Sequence, residues 1–354
     1  MSRDEVSVVS IAPKHELITG KMGKLSRAKI SAIDIAVPPK LLTNADLEKL
    51  VATTDQWIME RTGIRQRHIV EPGVTSSDLG AEAALKILAK TGVAATDIDL
   101  IIFSTISPDM FLPATACLVQ NKIGATKAWG FDLSAACSGF LYGLQVGAQF
   151  IATGAHKNVL VIGIDVMSGI IDYTDRATCV IFGDGGGAAL LQPAGEGEDA
   201  GFIDFLFEVD GSGGDALCIP AGGSKTPATH ETVDKRLHYV HQDGHAVFKM
   251  ATRKMAEICS RLLERNGLTG QDVDLFVPHQ ANKRIIDSAA ERLGMPSERI
   301  IINIDEYGNT TAGTLPLALN SARDKGMLKK GDLVLFATVG AGFSAGAALV
   351  RWGY

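Results

Sequence analysis

The feature that most restricts how this chain can fold is a long-range self-similarity. Gly92-Val-Ala-Ala-Thr-Asp-Ile-Asp-Leu100 returns as Gly267-Leu-Thr-Gly-Gln-Asp-Val-Asp-Leu275, each copy following an apolar, helix-like stretch. A second pair keeps the same order: Gly187-Ala-Ala-Leu-Leu191 and Gly346-Ala-Ala-Leu-Val350, each after a glycine-rich turn. One match between small residues arises easily by chance. Two in the same order predict a duplicated fold, at a spacing far too long for a solenoid. With 354 residues and 46% hydrophobic content, the chain has apolar material for two domain-sized halves. The expected organisation is an N-terminal half over 26–200 and a C-terminal half over 201–354. Before them lies a flexible extension over 1–25, where charge, Gly and Ser mix without period.

Within each half, β-rich apolar runs alternate with helical patterns. Residues 99–103, 128–131 and 158–162 read as strands, and such alternation predicts an α/β fold. Residues 210–245 are rich in Gly, Pro, Thr and His and lack a sustained apolar period. A surface connection and a flap over a site both fit such a segment. The 34 basic and 40 acidic residues argue against a nucleic-acid-coating protein while permitting a local basic patch. No run of about 18 apolar residues offers a membrane span, and the N-terminus lacks the pattern of a secretory signal, so a cytoplasmic location is expected. Five cysteines without a CxxC pair or a Cys/His cluster predict reduced thiols and no metal site.

Of these five, Cys137 stands apart. In Asp132-Leu-Ser-Ala-Ala-Cys-Ser-Gly-Phe140 a strand-like segment gives way to small residues and then to an apolar helix with Gly139, Gly143 and Gly147 at four-residue spacing. That spacing suggests close approach to another backbone. A thiol at a strand-to-helix turn meets unpaired N–H groups, which favour the nucleophilic thiolate. Cys117, Cys179, Cys218 and Cys259 lack that context.

The second half offers partners. Asp272 to Arg284 reads as a strand ending at His279, then a helix whose Ile285, Ile286, Ala289 and Leu293 share a face. His279 thus falls at the carboxyl end of a strand, where α/β sheets place ligand chemistry. Gly308-Asn-Thr-Thr311 is a turn before another helix, and it follows the repeated strand as the Cys137 turn follows its counterpart. Duplication would bring both turns to one site. Val339-Gly-Ala-Gly-Phe343 is a glycine-rich turn able to offer N–H groups to an oxyanion. Taken singly, each of these is an ordinary structural element.

Together, Ala135-Ala-Cys-Ser-Gly-Phe140, Pro278-His-Gln-Ala-Asn282, Gly308-Asn-Thr-Thr311 and Gly340-Ala-Gly-Phe343 resemble the motifs of β-ketoacyl-acyl-carrier-protein synthase III. This is the priming condensing enzyme of type II fatty-acid synthesis, in the thiolase superfamily. The resemblance runs from about residue 28 to the C-terminus. It implies a thiolase-like duplicated fold, five layers αβαβα, in a homodimer without a cofactor. It also implies that Cys137 takes the acyl group from acyl-CoA, while His279 and Asn309 act on the malonyl group carried by acyl-carrier protein. The backbone at Cys137, Gly340, Ala341 and Gly342 would form the oxyanion hole. Trp57, Arg61 and Arg176 look like the CoA nucleotide site, and Gly244, Phe248 and Asn282 like the pantetheine channel. Gln280, Ala281, Asn282, Lys283 and Arg284, with Lys249, resemble the carrier-protein contact. Leu112 stands where a partner subunit's residue closes the acyl pocket. Ala341 departs from the glycine common at its position.

Without the resemblance, Trp57 and Arg61 form a helix-surface pair at four-residue spacing, and the lysines and arginines are solvated charge. Rival functions are a starter-unit synthase of polyketide or alkylquinolone biosynthesis, a cysteine hydrolase of thioesters, and a carrier-protein-binding scaffold without catalysis. A plant-type chalcone synthase carries a Gly-Phe-Gly-Pro-Gly segment absent here, and a biosynthetic thiolase needs a second cysteine near the C-terminus, whereas no Cys follows Cys259.

Overall fold

The computed structural model describes residues 27–354, so the extension expected over 1–25 lies outside the described residues. Two sheets carry the duplication. Across its width the first runs Ala28–Ala36, Gly185–Pro193, Val159–Asp165, Leu100–Ser104, Trp129–Leu133. The second runs Gly201–Val209, Ser344–Arg351, Leu333–Gly340, Leu275–Pro278, and an isolated parallel bridge from Phe276 to Ile300 stands where the first sheet has its fifth strand. The strand succession is therefore the same in both.

Registers coincide as well. Leu100 pairs with Val159 and Leu275 with Val334, both in parallel. Each pair is displaced by 175 positions (100 to 275, 159 to 334), as are Ala136 and Thr311, non-glycine residues held at φ 45° and 49°. One rigid offset thus relates the strands and the two turns that follow them.

The two central helices, Gly139–Ala152 and Thr314–Asp324, separate the sheets. Their Leu144 and Leu319 share a single core with Val161 of the first sheet and Phe336 of the second. The other face of the first sheet packs on helices Ser76–Thr91 and Thr115–Ile123, and that of the second on Gly244–Arg265 and Lys283–Leu293. Five layers, αβαβα, result. Strands covered on both faces have no polar side, which is why they read in the sequence as unbroken apolar runs.

The glycine seam of the Gly139–Ala152 helix has a clear cause. A Cβ on Gly143 would lie 2.8 Å from Val161 Cγ1, and one on Gly147 2.9 Å from Leu191 Cδ1. The seam therefore meets side chains of the sheet rather than a second backbone.

Residues 210–245 fold into a lid. Leu217–Cys218 pairs with His241–Gln242, and a short helix spans His230–Asp234. Arg236 forks onto both carboxylate oxygens of Asp172, and the Val240 N–H donates to the Ile170 carbonyl at 2.9 Å. Of the two expectations for this segment, the flap describes it.

Candidate active site

Cys137 follows the strand Trp129–Leu133 and immediately precedes the helix Gly139–Ala152, with Ala136 at positive φ turning the chain between them. No side chain caps the helix, so its first N–H groups stay available at the thiol's end. Burial nevertheless pushes the thiol up to about 12, and the nearby Asp165 carboxylate acts in the same direction. Burial thus works against the lowering expected at the helix terminus, and the resting group is protonated.

His279 ends the strand Leu275–Pro278, its N–H fixed to the Ala337 carbonyl at 2.7 Å. The side chain is 1% exposed, and neither ring nitrogen has a hydrogen-bond partner among the described residues. Burial lowers its pKa to about 3, so the imidazole is neutral. A buried ring with two idle nitrogens is an incomplete polar group, and a ligand carbonyl would complete it.

Asn309 is held at both backbone ends, its N–H on the Ile181 carbonyl (2.9 Å) and its C=O accepting from the Gly183 N–H (3.1 Å). Its Oδ1 accepts the Thr311 N–H at 2.9 Å, which fixes the amide orientation and leaves Nδ2 as the outward donor.

One residue of this site was not anticipated. Asp165 ends the apolar strand Val159–Asp165 and is fully buried. Its Oδ1 accepts from the Thr105 and Ser107 hydroxyls and the Ile106 and Ser107 N–H groups, and its Oδ2 from the Thr311 hydroxyl and the Ala312 N–H. It thereby ties the first half to the turn that carries Asn309. A charge closing a wholly apolar strand is the signal that could have revealed it. Burial raises its pKa while these donors oppose the rise. Asp165→Asn would turn an NH2 toward groups that themselves donate. We expect a loss of about 3 kcal/mol, read as a lower thermal midpoint, with condensation falling further than stability alone explains.

Cys137 borders two cavities of about 590 Å³ each. The first also holds His279, Asn309 and Gly340, and runs outward past Gly244 and Phe248 to Asn282, Trp57, Arg61 and Arg284. Along it the Arg284 guanidinium lies 5.0 Å over the Phe248 ring, and Asn282 Nδ2 donates to the Arg61 carbonyl at 2.8 Å. Arg176 does not line this channel but stacks 4.9 Å over Trp57 at its outer end. The second cavity passes Ala341 and Gly342. A Cβ on Gly340 would come 3.1 Å from Cys137 Cβ, so a side chain there would crowd the thiol.

The expected carrier-protein residues divide. Lys249, Lys283 and Arg284 are exposed, Lys283 in an ion pair with Asp287 at 2.7 Å, and Ala281 borders the channel. Gln280 is corrected: it is 1% exposed, its amide donates to the Pro278 and Ile301 carbonyls, and its Oε1 accepts from the Asn303 N–H. A side chain so committed braces the His279 loop and cannot meet a docking protein. Leu112 is 84% exposed and lines neither cavity of its own chain. Among the described residues no three His, Cys, Asp or Glu side chains group as a metal site, and no helix is long and apolar enough to cross a membrane.

Comparison with known proteins fixes the family. The family described as 3-oxoacyl-[acyl-carrier-protein (ACP)] synthase III matches residues 131–211, and its C-terminal counterpart residues 263–352. A beta-ketoacyl-[acyl-carrier-protein] synthase III of Solibacter usitatus is 63% identical over 93% of this chain and 100% of its own, and that of Koribacter versatilis 59% identical over 94% and 100%. The chain belongs to the β-ketoacyl-[acyl-carrier-protein] synthase III family. The crystal structure of the synthase III from Aquifex aeolicus superposes with a TM-score of 0.84 at 39% identity, covering 92% of this chain and 100% of that one. A priming β-ketosynthase of the R1128 polyketide pathway also superposes well, with a TM-score of 0.85 at 32% identity, covering 93% and 98%. The Solibacter, Koribacter and Aquifex synthases share more of the sequence than this ketosynthase does, while the architecture extends to it as well.

Proposed function

We propose that this chain primes type II fatty-acid synthesis by joining an acyl group from acyl-CoA to malonyl-acyl-carrier protein, with Cys137, His279 and Asn309 as the catalytic residues. The observation that carries the proposal is one cavity bordered by a buried thiol, a neutral imidazole with both nitrogens idle and an amide turned donor-outward. Cys137 Sγ attacks the thioester carbonyl of acyl-CoA. Because the resting thiol is protonated, its proton departs as the bond forms and ends on the leaving CoA sulfur. Acyl-Cys137 and free CoA result.

Malonyl-carrier protein then presents its thioester carbonyl to His279 and Asn309. Loss of CO2 leaves an enolate whose oxygen takes hydrogen bonds from the imidazole and amide N–H groups. The enolate carbon attacks acyl-Cys137, and the Cys137 N–H with the Gly340-Ala341-Gly342 turn stabilises the resulting oxyanion. Collapse expels the Cys137 thiolate, which takes up a proton from solvent. The products are 3-oxoacyl-carrier protein and CO2. These donors supply the charge stabilisation this chemistry requires, so the proposal invokes no cofactor. Release of CO2 from malonyl-carrier protein, dependent on acyl-CoA, tests it directly. A chain that only hydrolyses acyl-CoA would overturn it in favour of the hydrolase.

In this scheme the long channel receives pantetheine past Gly244, Phe248 and Asn282, and the Trp57–Arg176 pair with Arg61 receives the nucleotide. Trp57→Ala is expected to raise KM for acyl-CoA about tenfold and to leave that for malonyl-carrier protein nearly unchanged, measured by steady-state kinetics with each substrate varied. Lys249, Lys283 and Arg284, with Ala281 and Asn282 beside the channel, meet the acidic carrier protein.

The proposal includes a homodimer, supported by Phe111 and Leu112, 91% and 84% exposed beside the second cavity. Large apolar side chains so exposed mark a surface that is normally covered. Analytical ultracentrifugation is expected to find a dimer that Leu112→Asp weakens; an active monomer would exclude it. A cytoplasmic location, where the thiols stay reduced, belongs to the same proposal.

A further inference from the structure

The cavity on the far side of Cys137 is larger and drier than the smallest primer requires. Its volume is about 590 Å³. An acetyl group occupies space on the order of two or three water volumes, roughly 60–90 Å³ at ~30 Å³ each. Ile106, Met167, Phe182, Leu217 and Val240 make its walls apolar.

The polar groups that reach this cavity are already committed. Thr105 and Thr311 donate their hydroxyls to Asp165, while Ser134 is exposed. Asp132, the one charged side chain in the lining, accepts the N–H groups of Thr115 and Ala116 at 2.6 and 2.8 Å. Among the described residues no cation borders the space to receive a second carboxylate, so a charged acyl chain would be buried there without a partner. One wall, with Leu217, Cys218, Ile219 and Val240, belongs to the lid, which the Arg236–Asp172 fork ties to the body. On that side the cavity is bounded by anchored chain.

We infer that, given the condensing role proposed above, this enzyme is primed by uncharged alkyl acyl-CoAs of roughly five to ten carbons in preference to acetyl-CoA, as a cavity of this size on a water-volume scale implies. Each methylene moved from water into such surroundings favours the bound state by about fourfold.

The test is kcat/KM for condensation with malonyl-carrier protein across acetyl-, isovaleryl-, hexanoyl- and octanoyl-CoA. At least one of the three longer primers is expected to exceed acetyl-CoA tenfold or more. Acetyl-CoA equal to or better than all three would overturn the inference. Cys218→Phe on the lid and Ile106→Phe on the opposite wall are each expected to lower the octanoyl-to-acetyl ratio at least tenfold, with thermal unfolding verifying the fold. An unchanged ratio in folded variants of both would also overturn it, and if either fails to fold, the other and the primer panel decide. If no primer acylates Cys137, as read by intact mass, the condensing role itself falls, an outcome separate from a wrong primer class.

Discussion

Cys137→Ala is expected to abolish acyl transfer, lowering condensation by about four orders of magnitude or more, while slow decarboxylation of malonyl-carrier protein persists. The separation follows from geometry. In the proposed scheme His279 and Asn309 stabilise the enolate oxygen, and both belong to the second half, so removing the thiol leaves their donors in place. In the same scheme Cys137 alone provides the covalent attachment that divides the reaction into two half-reactions. Intact mass spectrometry after incubation with acyl-CoA should show one acyl adduct on the parent chain and none on the variant. An adduct surviving on any other residue would sink the assignment. Cys179 and Cys259 serve as internal controls, since burial raises both thiols and neither borders the site cavities.

His279→Ala is expected to give the complementary result. Condensation should fall by about 10²–10³, the usual cost of losing one preorganised donor, while acylation of Cys137 stays within about tenfold. The pH profile provides a second readout. Because burial lowers His279 to about 3 from its ordinary value near 6.5, the imidazole does not charge as pH falls through 6.5. The sign is definite: the neutral ring persists down to the lowered value, so decarboxylation should show no limb near pH 6.5 attributable to this residue. Single-turnover CO2 release between pH 5.5 and 8 is expected to be nearly flat in the parent enzyme. A limb near 6.5 that disappears in His279→Ala would mean that the ring works in its charged form.

Much of this architecture was legible because the duplicated segments keep their register. The Asp-Ile-Asp-Leu and Asp-Val-Asp-Leu segments lead into equivalent strands, and the turns at Cys137 and Asn309 meet as duplication requires. The channel residues and the proposed catalytic trio, which border one cavity, were read from short motifs whose spacing survives in one dimension. Burial did not. The sequence places Cys137 at a helix N-terminus, but only three dimensions show the thiol shut away from water beside Asp165, which reverses the expected direction of its pKa. Gln280 misled for the same reason, since polarity in a loop suggests exposure while its bonds to Pro278, Ile301 and Asn303 are tertiary. Asp165 was not legible because its six donors come from two segments far from it in the sequence, 105–107 and 311–312.

The displacement of 175 positions carries a consequence for the history of the molecule. Applied to the reactive residues, it sets Cys137 opposite Ala312 and His279 opposite Ser104. An ancestor with two identical halves would have carried matching groups on both sides of a near two-fold axis, competing for one small space. The present chain resolves that conflict by specialisation. Ser104 is small and inert enough to hydrogen-bond the Gly139 carbonyl at 2.9 Å, and a Cβ on Gly139 would approach Ala312 Cβ at 3.6 Å. Each half thus brings to the shared cavity a group that its counterpart lacks, so the site exists only where the two halves meet.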